Sequence, residues 1–148
     1  MSVRNKMAVA GVFASVAALT ALGTGVAQAV TPEKPTADYQ VCGNVLDSSG
    51  AGVAGVAVSG ELYDSSDTVV TGAIASTTTN ANGGYCLQGN SGMVGTVTSG
   101  GYVKLHAAGG NFGTWETNGI HESDFLSHIY VSIFPPISQS ANGFNGTV

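Results

Sequence analysis

Charge is scarce in this chain. Asp, Glu, Lys and Arg make up 9% of its 148 residues, against roughly 25% in ordinary soluble domains. The basic residues are Arg4, Lys6, Lys34 and Lys104. No cationic cluster is available to neutralise a phosphate backbone, which excludes nucleic acid as a partner. An anionic membrane surface is disfavoured for the same reason. Cysteine is nearly missing as well: Cys42 and Cys86 are the only two, so one internal pairing exists. No apolar pattern of helical period runs beyond about two turns, which argues against a helical domain. A Gly-x-Ser-x-Gly elbow is absent, and no Gly-rich run leads into Lys-Ser/Thr, so the common serine-nucleophile and phosphate-loop signatures are not met.

What is present begins with an export signal over residues 1–29. Arg4 and Lys6 form a positive start, residues 7–26 are apolar and uncharged, and Ala27-Gln28-Ala29 is a small-x-small triplet that predicts cleavage between Ala29 and Val30. The apolar run is about long enough for a membrane anchor, but Gly11, Gly23, Gly25 and the triplet favour a cleaved signal. Its Ala-rich character resembles exported actinobacterial proteins, which implies a secreted, Gram-positive bacterial product with no membrane attachment after cleavage. Cleavage leaves Lys34 and Lys104 against nine acids, a formal charge of −7 (2 − 9). In an oxidising compartment the two cysteines are expected to form one disulfide, Cys42–Cys86.

Residues 30–38 carry two prolines and mixed charge, and read as a flexible leader. From there the chain is punctuated by turn chemistry. Asp47-Ser48-Ser49-Gly50, Asp64-Ser65-Ser66-Asp67 and Asn80-Ala81-Asn82-Gly83-Gly84 each combine an Asx or Ser able to bond its own backbone with residues that tolerate positive φ. Between them lie strand patterns over 39–46, 53–63, 68–79 and 85–87, then 93–98, 102–106, 112–117 and 129–134. Val56, Val58 and Leu62 share one face, and Val103 and Leu105 oppose Tyr102, Lys104 and His106. Residues 122–128 are a candidate short helix. Pro135-Pro136 closes the last strand, because proline cannot donate to a ladder. The sandwich is expected to span 39–136, with 137–148 a loosely held tail. Short strands with turns about every ten residues predict an all-β sandwich.

The run Val41-x-Gly43-x-Val45-x-Asp47-x-x-Gly50, then Gly55-Val56-x-Val58, then Thr79-x-Ala81-x-Gly83-x-Tyr85-x-Leu87, resembles the carboxypeptidase regulatory-like and transthyretin-like domains. Leu62-Tyr63-Asp64, Gly89 and Tyr102-Val103-Lys104-Leu105-His106 are similar to secreted transthyretin-like domains in particular. The resemblance implies a prealbumin-like Greek-key β-sandwich of about seven strands, serving as an accessory, binding or linker module. Two related enzyme chemistries lack their residues here. Hydroxyisourate hydrolases need an arginine and a Tyr-Arg-Gly-Ser-type tail, whereas Arg4 is the sole arginine and the tail reads Asn-Gly-Phe-Asn-Gly-Thr-Val. Intradiol dioxygenases need a His-x-His pair, whereas His121 and His128 are seven apart.

Outside that pattern, three features can carry chemistry. His121, Asp124 and His128 share a face if 122–128 is helical, and imidazole with carboxylate suits zinc or copper; the competing reading is a polar loop. Trp115, with Phe112 and Tyr102, offers an aromatic platform for a sugar or other apolar ligand, against which stands plain core packing. Glu61 and Asp64 beside Tyr63 are paired carboxylates or ordinary turn acids. No catalytic residue and no cofactor is assigned. The leading expectation is a secreted, non-enzymatic module that binds an extracellular protein, glycan or small molecule. A small-molecule carrier with an apolar cleft, and a metal-dependent enzyme built on His121 and His128, are the alternatives. A carrier requires a deep apolar cavity, an enzyme a concave histidine–carboxylate site, and an interaction module an exposed sheet face or aromatic patch.

Overall fold

A computed structural model describes residues 30–128 and 143–148, with only the backbone described over 126–128. The export segment and the strand expected over 129–134 with its closing Pro135-Pro136 lie outside the described residues. Eight strands and three short helices follow in order: β1 (Gln40–Leu46), β2 (Ala57–Tyr63), β3 (Val69–Val70), β4 (Ile74–Ala75), β5 (Thr77–Thr78), β6 (Gly84–Gly89), α1 (Ser91–Thr98), β7 (Tyr102–Ala107), α2 (Thr114–Thr117), α3 (Glu122–His128) and β8 (Gly146–Thr147). The protein is mostly strand, in two four-stranded sheets. One runs β4-β6-β1-β8. In the other β2 is central, with β7 along one side and β3 and β5 along the other.

Alternation decides what each sheet buries. Val58 and Leu62 of β2 and Val103 and Leu105 of β7 point inward, as their period of two requires, and are at most 1% exposed. Val41 and Val45 of β1 and Tyr85 and Leu87 of β6 join them in one core, closed by Phe112, Ile120 and Phe144. Cys42 and Cys86 are register partners on β1 and β6 and form the expected disulfide.

The leader makes defined contacts with the fold. Residues 41–45 are buried throughout, so β1 is covered on both faces. The cover on the outer face is the leader itself. Buried Asn44 accepts a hydrogen bond from the Glu33 amide at 2.9 Å and donates through Nδ2 to the carbonyls of Thr31 and Asn82. Pro35 is fully buried, and Glu33 accepts from the Asn80 amide group. Docking also explains the two prolines: their fixed φ lowers the entropy lost when an extended segment is laid on a sheet.

The tail also makes defined contacts over 143–148. Thr147 and Gly146 pair in parallel with Leu46 and Val45, and Phe144 is 0% exposed. The buried Tyr85 hydroxyl donates to the Phe144 carbonyl at 2.6 Å. Gly43 permits this close approach, since a Cβ there would run into the Phe144 carbonyl. Tail residues therefore supply core that local sequence polarity does not reveal.

Three further expectations are corrected. Residues 93–98 form helix α1 rather than a strand. Asn90 caps it by accepting from the Met93 amide, and Met93 and Val97, one turn apart, are its buried face. Residues 112–117 form a buried Phe112 and the single turn α2, entered through Gly113 at φ 57. In α1 a cap and a spacing of four override strand-prone Val and Thr; α2 has no side-chain cap and is closed by the Thr117 and Asn118 amides donating to the Gly113 and Thr114 carbonyls. The long strand expected over 68–79 is instead three two-residue strands. The predicted helix over 122–128 is present.

Three turns repeat one geometry. In each, the side-chain oxygen of the first residue (Asp47, Asp64 or Asn80) accepts from the backbone amides two and four positions on. The fourth position takes positive φ: Gly50 at 84°, Asp67 at 60° and Gly83 at 72°. These bonds hold the Asp47 carboxyl below the ordinary carboxylate range, the Ser49 hydroxyl contributing most. Glycine meets the left-handed requirement without cost at two of the three turns; Asp67 does not.

Candidate functional site

The outward faces of β2 and β7 form one strip. Register pairs Ser59 with His106, Glu61 with Lys104 and Tyr63 with Tyr102, so all six side chains stand on the side opposite Val58, Leu62, Val103 and Leu105. From Tyr102 to His106 the strip runs about 13 Å. Val69, the β3 partner of Tyr63, extends it sideways and is 44% exposed.

At one end the two tyrosine rings stack, with centroids 5.1 Å apart and planes 9° from parallel. The Lys104 ammonium lies 5.3 Å from the Tyr63 centroid and 5.7 Å from that of Tyr102, within cation–π range. The His121 ring is tilted against Tyr102 at 5.1 Å. Both phenols are tied to carboxylates: Tyr63 donates to Glu61 and Tyr102 to Asp67, each at 2.8 Å. The bond to Asp67, with a smaller desolvation effect, pushes the Tyr102 hydroxyl up to about 12. The Glu61 bond likewise raises Tyr63. Each neutral phenol is thus favoured as a donor and each ring is held in place.

At the other end His106 stands between two acids. Its Nε2 is 3.5 Å from Glu61 and its Nδ1 is 3.7 Å from Glu116 on α2. Glu116 also accepts from the Phe112 amide at 3.1 Å, a bond local to the turn that enters α2. An open cleft of about 320 Å³ beside His106 is lined by Ala57, Val58, Ser59, Ser76, Ala107 and Ala108. Its walls are mostly small side chains, in contrast to the deep apolar cavity that a carrier requires.

The residues singled out by sequence fall in different places. His121 and Asp124 do come together, as a helix cap. The Asp124 carboxylate accepts from the His121 backbone amide at 3.0 Å, the reach-back half of a capping box. The His121 ring lies 3.2 Å from the Asn118 carbonyl through Nε2. The His128 side chain lies outside the described residues. Among the described residues no group of three or more His, Cys, Asp or Glu is placed to hold a metal. Trp115 is half-buried, with its ring edge-on to Phe144 at 5.0 Å, and Phe112 is in the core. Of the three aromatics considered for a platform, only Tyr102 stands on the solvent-facing strip, and its partner is Tyr63. The alternation over 102–106 already placed Tyr102, Lys104 and His106 on one face; the register that sets Tyr63 and Glu61 beside them had no local signal.

Comparison with known proteins finds no matching family, no matching curated protein and no matching solved structure. Among the described residues no helix is long and apolar enough to cross a membrane.

Proposed function

We propose that this chain is an exported, non-enzymatic binding module of the transthyretin-like or carboxypeptidase regulatory-like kind, its two sheets arranged as a Greek-key sandwich, which engages an extracellular partner through the β2–β7 face. One observation carries this reading: a solvent-facing strip on which two stacked tyrosines have both hydroxyls pinned by carboxylates. Aromatic side chains fixed before contact lose little entropy on binding, which makes them efficient anchors. The disulfide is compatible with an oxidising destination, and the family reading rests on the turn-and-strand pattern over 41–87. The cleft beside His106 favours a carrier less, since it is open to solvent and does not enclose a ligand.

The test is capture from the culture of the producing cell. Tagged protein is cross-linked in place, and bound material is compared between the native chain and the Tyr63→Ala/Tyr102→Ala double variant. Each tyrosine is expected to contribute about 2 kcal/mol if it is an anchor, so the double variant should lose most of the captured material while its melting temperature stays near native. Identical material captured by both proteins would refute the assignment of this face.

A further inference from the structure

We infer that residues 31–38 form a strap that guards the Cys42–Cys86 disulfide, so that a thiol reduces the pair when this strap lifts, while the sandwich stays folded.

The path of the leader carries the inference. Three register pairs follow one another along the outer face of β1 and β6: Asn44 with Gly84, Cys42 with Cys86, and Gln40 with Gln88. The leader is fastened at the first and at the third. At one end Asn44 accepts from the Glu33 amide and donates to the Thr31 carbonyl, and the Glu33 carboxylate accepts from Asn80. At the other end the Gln40 side-chain oxygen accepts from the Thr36 and Ala37 amides at 2.8 and 3.1 Å, and Gln88 donates to the Asp38 carbonyl at 2.9 Å. Lys34 and Pro35 span the interval, at the middle pair. The Lys34 carbonyl lies 3.6 Å from Cys86 Sγ, and Pro35 is fully buried.

The same geometry limits access to sulfur. With the strap in place Cys42 is 0% exposed and Cys86 is half-buried. On the inner face Val41, Val45, Tyr85 and Leu87 belong to the core, so a reagent can come only from the leader side. Exchange needs a thiolate in contact with one of the two sulfurs, and its rate depends on that access. The fastenings at the Gln40 end are exposed hydrogen bonds, each contributing little net stability. The strap therefore opens at a lower cost than the sandwich, as a local unit. Once it is lifted, the thiolate of a dithiol attacks Cys86 Sγ, forms a mixed disulfide and expels Cys42 as a thiolate. The second thiolate of the reagent then attacks the mixed disulfide and expels Cys86. The reagent leaves as its own cyclic disulfide, oxidised by two electrons, and its two protons return through solvent to the two cysteines. Any event that lifts the leader thus exposes the disulfide to exchange.

Reduction of the oxidised protein by dithiothreitol tests this, at a series of urea concentrations below the unfolding transition, with alkylation and mass measurement reporting free thiols. The rate is expected to be nearly independent of urea, because lifting a short surface segment exposes little area. The Gln40→Ala/Gln88→Ala double variant, and separately Pro35→Gly, should speed reduction about tenfold or more, the scale of two lost hydrogen bonds. Where a variant also lowers the urea midpoint, the urea slope still separates strap opening from unfolding. Glutamyl endopeptidase supplies a second readout. The Glu33–Lys34 bond should resist cleavage in the oxidised native chain and be cut faster in both variants, in parallel with reduction. A native reduction rate that climbs with urea as steeply as equilibrium unfolding overturns the inference, because access then requires the whole sandwich to open. Variants reduced at the native rate overturn it as well, because thiols then reach Cys86 past a docked leader.

Discussion

Truncation of Phe144 to alanine separates an ordered tail from a loose one. The side chain is 0% exposed, meets Trp115 edge-on at 5.0 Å and lies 6.2 Å from Phe125. Removing a buried Phe ring costs about 3–5 kcal/mol through lost transfer energy and the cavity left behind. The upper part of that range applies if the rigid β1 strand beneath cannot collapse into the space. Against a total stability of about 5–15 kcal/mol for a domain of this size, the loss lowers the melting temperature by roughly 10–25 °C. Urea unfolding followed by fluorescence of the single tryptophan is the natural assay, because Trp115 packs on the ring being removed. Gly43→Ala gives an independent check from the opposite side of the contact. Its added methyl is aimed at the Phe144 carbonyl that accepts the Tyr85 hydroxyl, and should cost about 1–3 kcal/mol. If Phe144→Ala loses less than about 1 kcal/mol, residues 143–148 do not belong to the core and the reasoning fails.

Replacing both cysteines with alanine should lower stability by about 4 kcal/mol in the chain-entropy model, because the disulfide spans 44 positions; an unchanged urea midpoint would contradict this. The tyrosine at position 102 makes stability depend on alkaline pH. Its folded-state value, about 12 through the Asp67 hydrogen bond, is above the unfolded value of about 10. The neutral form is therefore favoured by folding, and this contribution is complete below about pH 10 and lost as pH rises through about 12. In a tyrosinate absorbance titration, Asp67→Gly should move one tyrosine to lower pH; superimposable curves would remove Asp67 as its partner.

The local rules that were legible are those whose cause is local. The Asp47, Asp64 and Asn80 turns were readable because one side-chain oxygen and its own backbone amides make the whole motif. The inward Val103 and Leu105 followed from a period of two, and the helix over 122–128 from its spacing. Helix α1 was misread because Val and Thr in 93–98 mimic a strand when the Asn90 cap is ignored. Asp124 three residues after His121 suggested shared ligation; the same spacing serves a helix cap, and only backbone geometry separates the two.

By itself, then, the sequence determined a β-rich, turn-punctuated chain with a single disulfide choice and no cationic surface. These follow from composition and from contacts within a few residues. Only the tertiary structure decided that the leader covers the outer face of β1, that Phe144 completes the core, and that Tyr63, Glu61 and Asp67 gather around Tyr102. Apart from the leader's bonds to β1, such as that between Glu33 and Asn44, which are 11 positions apart, those contacts join residues 35 to 101 positions apart. The pairing of β2 with β7 depends on burying two apolar faces at once, and no window of sequence around either strand contains the other.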